Sequence, residues 1–196
     1  MSKVLYPFLQ AGKPDFVDFI YYEGMMLPHE IEIIQSMWAD DQTVKATLSG
    51  DATYDDKMRK SSVMGIGPEP RHNWLYQKLE QVAYGANHER YHFDMSGFGE
   101  ALQLTRYGVG DFFDWHMDFG PGDIAHRKLS ITVQLSDPET YEGGDLEFRI
   151  SERVVKAPRS KGTIIVFPAF VQHRVTEITK GTRESIVAWV SGPAFR

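Results

Sequence analysis

Three side chains carry the chemistry open to this sequence: His116 and Asp118, two positions apart in DWHMDFG, and His173 in FPAFVQHRV. Two imidazoles and one carboxylate can hold a divalent metal on one face and leave the other face open. That donor set belongs to non-haem ferrous oxygen chemistry. The HxD spacing makes geometric sense on an extended strand, where residues i and i+2 point to the same side. A distant strand must then bring the third ligand. Arg183 follows soon after His173 and offers a planar guanidinium suited to gripping a carboxylate in bidentate fashion. A dicarboxylate chelating the metal through a 2-oxo acid end would present its far carboxylate to such a group. The plainer role for Arg183 is a structural salt bridge. HxD by itself is a weak signal in a chain of seven histidines. His72, His88, His92 and His126 have no carboxylate at that spacing and read as surface or capping residues.

The elements that must position these residues fall into two regions. Pro28 suits the first turn of a helix, and Ile31, Ile34, Met37 and Trp38 follow at helical spacing. A second helix is expected from near Pro70, with Leu75, Leu79, Val82 and Ala86 along one stripe. Residues 40–60 between them are polar and turn-rich and read as a connector or a mobile loop. From residue 91 the pattern changes. Short β-rich runs occupy 101–108, 128–136, 144–150, 162–168 and 184–191, punctuated by Gly, Pro and Asp. Helices followed by strands predict an antiparallel β core with helices packed on one side.

Strand parity is a second, independent signal. Ser130, Thr132 and Gln134 share one face, while Leu129, Ile131, Val133 and Leu135 share the other. In the last strand Arg183, Ser185, Val187 and Trp189 lie on one side. Facing one another, these two strands would furnish a cavity with hydroxyls, an amide, a guanidinium and an indole. The bland reading of 128–135 is surface alternation.

At 196 residues the chain suits a single domain, with about 1–98 as helical cover and support strands and about 99–196 as the β core. It has no cysteine, so any metal must take nitrogen and oxygen ligands; a reducing, cytoplasmic setting is expected. MSKVLYPFLQ lacks the apolar run of a signal peptide, and no stretch approaches the roughly 20 apolar residues of a membrane span. The net charge of −6 argues against a general nucleic-acid binder. RKSS (59–62) and HRK (126–128) are the two basic clusters that could still line a groove, and Asp111, Asp114 and Asp123 form an acidic run.

The segments YGVGDFFDWHMDFG (107–120), KLSITVQLSDPETYEGGDLEF (128–148) and KGTIIVFPAFVQHRVTEITKGTRESIVAWV (161–190) together resemble the Fe(II)/2-oxoglutarate-dependent dioxygenases. Within them the chain is similar to the prolyl 4-hydroxylase-like branch, whose bacterial members are called PKHD-type hydroxylases. The resemblance implies a double-stranded β-helix, or jelly roll, flanked by helices. It implies His116, Asp118 and His173 as iron ligands and Arg183 as partner of the distal carboxylate of 2-oxoglutarate. Tyr107, Val175 and either Thr132 or Gln134 would contact that co-substrate, and Trp189 would wall the pocket. Gln134 departs from the tyrosine of some relatives.

The implied reaction decarboxylates 2-oxoglutarate to succinate and CO2, consumes O2, and hydroxylates an unactivated C–H bond, with ascorbate as reductant. Related halogenases have a small residue at the carboxylate position, so Asp118 favours hydroxylation. The substrate is expected to be a peptide or protein, such as a prolyl residue, or a small molecule. Residues 40–65 and 110–126 should border the pocket, with Arg59 a candidate substrate contact. Two other readings remain: a cupin-type metalloenzyme that does not use 2-oxoglutarate, and a non-catalytic metal-binding module. The first leaves Arg183 without a role, and ferrous-dependent succinate release would rule out the second.

Overall fold

The computed structural model describes residues 17–39, 42–46, 55 and 57–194. The reading of MSKVLYPFLQ lies outside the described residues, as does part of the 40–60 connector. The N-terminal half contains β1 (Ile20–Tyr22), α1 (Pro28–Gln35), β2 (Val44–Lys45), β3 (Arg59–Lys60), β4 (Ser62–Ile66), α2 (Asn73–Ala86) and β5 (Gly97–Phe98). The β-rich half begins with β6 (Leu102–Tyr107), β7 (Phe112–His116), β8 (Arg127–Gln134), β9 (Glu142–Gly143) and β10 (Leu146–Ile150). It ends with β11 (Arg153–Lys156), β12 (Ile164–Pro168), β13 (His173–Val175), β14 (Ile178–Lys180) and β15 (Arg183–Ser191).

Among the described residues these strands form two facing antiparallel sheets, the jelly-roll arrangement. The larger runs β1-β12-β8-β15-β6-β4-β2, with β5 also paired to β15. The smaller runs β11-β10-β13-β7-β3, and β14 and β9 make a separate ribbon. The larger sheet is buried on both faces. One face packs Leu129, Ile131, Val133, Ile186 and Ala188 against Ile31 and Ile34 of α1 and Leu75, Leu79 and Val82 of α2. The other meets the smaller sheet through Ile165, Phe167, Phe148, Leu146 and Val175. Every residue of β8 is buried, so its polar face is interior and surface alternation is the wrong reading.

Both helices pack on one side, as the periodicity predicts, with three adjustments. Pro28 opens α1, and the Glu30 carboxylate accepts the Leu27 N–H at 2.7 Å. The helix stops at Gln35, where the Ser36 hydroxyl turns back onto the Ile33 carbonyl. Met37 and Trp38 therefore reach the core from beyond its end. The second helix begins at Asn73, after a single tight turn over Pro70–His72. His72 is not a surface group: it is buried, with Nδ1 on the Gly67 carbonyl at 2.9 Å. His88, His92 and His126 are exposed.

The N-terminal half is also more than cover. β4 pairs with β6 in the large sheet, and β3 pairs with the site strand β7 through Arg59↔Phe113. Of the two basic clusters, Arg59, Arg127 and Lys128 are buried rather than displayed on the surface. In the acidic run, Asp111 accepts the Gly108 N–H at 2.9 Å and pairs with Lys60 at 3.6 Å, a turn-building task.

Gly143, at φ +76°, lies against the Glu177 backbone where β9 meets β14, just before the chain enters β15. A Cβ there would overlap the Glu177 carbonyl oxygen. Gly143→Ala is expected to destabilise the protein by about 2 kcal/mol or more, read as a lower urea midpoint in chemical denaturation.

Candidate metal centre

β7 and β13 are neighbours, and their register places His116 directly opposite His173. Asp118 lies past the end of β7, so the HxD pair is only half on the strand. The chain is held there by the Ala169 carbonyl, which accepts the N–H groups of Asp118 and Phe119 at 2.9 and 3.0 Å. One donor atom from each of the three residues lies within 4.8 Å of the others. Asp118 Oδ1 is 3.7 Å from His116 Nε2, and Oδ2 is 3.5 Å from His173 Nε2.

Hydrogen bonds fix how each imidazole is presented. His116 Nδ1 faces the Asp114 carbonyl at 2.7 Å, and His173 Nδ1 faces the Val171 carbonyl at 2.9 Å. A carbonyl only accepts, so Nδ1 carries the proton and the Nε2 lone pair points into the cluster. Phe113 stacks on the His116 ring at a centroid separation of 3.4 Å, and Phe167 meets the His173 ring edge-on at 4.7 Å. Burial pushes His116 down to about 3, and neighbouring His173 adds to the effect. Burial opposes ionisation of Asp118, but His173, His116 and the Ser130 hydroxyl together hold its carboxyl at about 2. A neutral His116 imidazole beside an ionised Asp118 carboxylate suits the binding of a divalent cation. The donor set therefore fits a ferrous-type metal.

Ser130 Oγ donates to Asp118 Oδ2 at 2.6 Å, and Arg127 donates to the Asp118 backbone carbonyl at 3.2 Å. Ser130→Ala is expected to weaken metal binding by about 10- to 100-fold, the usual cost of losing an outer-shell partner. Competition with a chromophoric chelator would measure it.

Around the cluster is a cavity of about 430 Å³, including its mouth, lined among others by Tyr107, Thr132, Val175, Arg183 and Trp189. Arg183 is the first residue of β15 rather than a residue ahead of it. It is 1% exposed, with Nη2 donating to Gln134 Oε1 at 3.0 Å and Nη1 to Ser185 Oγ at 3.4 Å. Its Nε has no partner, and among the described residues no carboxylate lies within salt-bridge distance. A structural ion pair therefore does not explain this side chain. Gln134 is spent on Arg183 and on the Pro158 carbonyl, and does not line the cavity, whereas Thr132 does. The Trp189 indole N–H is buried without a partner, and the Arg127 guanidinium sits 3.8 Å over its ring.

The family model of the 2OG-Fe(II) oxygenase superfamily matches residues 102–191, the stretch that builds this centre. That stretch of the chain is thus similar to the 2OG-Fe(II) oxygenase superfamily. The chain is also similar to PKHD-type hydroxylases. A PKHD-type hydroxylase of Parvibaculum lavamentivorans is 38% identical over 91 residues, covering 45% of this chain and 41% of that protein. One from Synechococcus sp. (strain JA-3-3Ab) is 26% identical over 168 residues, covering 82% and 72%. The match thus spans about two fifths of the more identical relative. A Pseudomonas putida prolyl-4-hydroxylase shares the fold at a TM-score of 0.69 and 16% identity, covering 90% of this chain and 93% of that one.

Three site features had no reading as such in the sequence. Ser130 was placed on the right face by parity, but its bond to Asp118 depends on the β7 exit loop. Phe113 reaches His116 through local strand geometry that no spacing rule encodes. Arg127 stood in a basic cluster whose burial only the fold reveals.

Proposed function

We propose that this chain is an Fe(II)- and 2-oxoglutarate-dependent dioxygenase that hydroxylates an unactivated C–H bond, with release of succinate and CO2. One observation carries the reading: the His116–Asp118–His173 cluster and the carboxylate-free guanidinium of Arg183 line the same cavity. Ferrous iron with 2-oxoglutarate and O2 would supply the oxidising chemistry, and ascorbate would keep the metal reduced.

The protein's part is positioning. His116 and His173 present fixed Nε2 lone pairs, and Asp118 contributes the one negative charge. Arg183 holds the distal carboxylate of the co-substrate, with Tyr107, Thr132 and Val175 around it. Leu146, Phe167 and Val187 restrict water at the same wall. The relatives' names make a prolyl residue of a peptide or protein the first substrate to try.

The test is an anaerobic titration with Fe(II) and then 2-oxoglutarate, followed by visible absorption. A charge-transfer band that needs both additions supports chelation at the cluster. Iron binding without that band favours a cupin-type metalloenzyme, and no iron binding removes the catalytic reading.

A further inference from the structure

We infer that, in place of the peptidyl proline that the relatives' names suggest, the primary substrate is a small carboxylic acid whose carboxylate is held by Arg59. The inference rests on the dioxygenase reading and names the substrate class for that same cavity.

Arg59 lines the cavity and is 6% exposed. Its Nε donates to Ser61 Oγ at 3.0 Å and its Nη2 to Gln103 Oε1 at 2.9 Å. Both partners are neutral, and among the described residues no carboxylate lies within salt-bridge distance of it. The guanidinium also stacks 4.6 Å from the Phe113 centroid, and Phe113 stacks on His116. Its charge is therefore one aromatic ring away from the metal cluster. A buried guanidinium answered only by an amide, a hydroxyl and a ring is an unbalanced charge in a low-dielectric place.

The charges of the loaded cavity sharpen this. Arg127 is neutralised by Glu100, which it grips with two hydrogen bonds at 2.6 and 2.7 Å. A divalent metal and the 2-oxoglutarate dianion cancel one another. Asp118 and Arg183 cancel as well. Arg59 remains as one uncompensated positive charge, and a monoanionic substrate would neutralise it. A carboxylate is the anion whose planar geometry a guanidinium matches.

The test uses the full chain loaded with Zn(II), which is redox-inert, and 2-oxoglutarate. Isothermal calorimetry then compares matched acids and amides: cyclopentanecarboxylate with its carboxamide, and N-acetyl-L-proline with N-acetyl-L-prolinamide. Each acid is expected to bind at least about tenfold tighter than its amide, in keeping with a charge-assisted hydrogen bond. Arg59→Gln should erase that preference, and Arg59→Lys should keep part of it. Gln103→Glu is the safeguard against misfolding. It is isosteric and supplies Arg59 with an internal carboxylate, so it too should erase the preference.

Amides that bind as well as acids, or acids that do not bind at all, would overturn the inference. So would an acid preference that survives both Arg59→Gln and Gln103→Glu. If Zn(II) or 2-oxoglutarate fails to bind before any acid is added, the dioxygenase reading itself fails, and the inference with it.

Discussion

Asp118→Ala is expected to lower metal affinity by more than about 100-fold, beyond the range for outer-shell partners, and to abolish turnover. Among the described residues Asp118 is the single carboxylate lining the cavity, and its two oxygens face both imidazoles. Without it the cluster offers two neutral nitrogens and the Ser130 hydroxyl, and nothing balances a dication taken out of water. The fold should persist, because among the described residues no lysine or arginine is salt-bridged to Asp118 and would be stranded. The measurement is thermal unfolding with and without metal. Wild-type protein should be stabilised by about 2.7 kcal/mol at a metal concentration of 100 times Kd, whereas the variant should show no metal-dependent shift. Wild-type metal affinity in the variant would remove Asp118 from the ligand set.

Arg183→Met should instead separate co-substrate binding from metal binding. A charge-assisted hydrogen bond contributes about 1.5–3 kcal/mol, so the 2-oxoglutarate requirement should rise roughly 10- to 100-fold. Metal affinity should change by no more than about threefold, because Arg183 touches none of the three ligands. Stability provides a second signature. A buried ion with no opposite charge costs solvation energy, and an apolar side chain of similar length relieves that cost. The unliganded variant should therefore unfold at the same temperature as wild type or higher, the lost hydrogen bonds to Gln134 and Ser185 counting against it. Arg183→Lys keeps the charge but not the fork and should fall between the two. An unchanged 2-oxoglutarate requirement in Arg183→Met would favour a cupin-type metalloenzyme.

The sequence by itself determined the donor types, the helical stripes and the parity of the late strands. These are local properties: Leu75, Leu79 and Val82 share a face whatever they pack against, and Ser130, Thr132 and Gln134 share a face in any extended chain. Reading them required no knowledge of what lay opposite. The absence of cysteine limited the donors to nitrogen and oxygen in the same direct way.

What lay opposite was decided only in three dimensions. Arg59 and Phe113 become neighbours because β3 pairs with β7 across a long stretch of chain. His116 meets His173 because the β7–β13 register is set by the whole sheet. Burial of Arg127, Lys128 and Arg59, members of the two basic clusters, is likewise a product of the fold. A side chain's type is written in one residue, but its partners and its solvation depend on long-range pairing, and these give Asp118, Arg183 and Arg59 their electrostatic character.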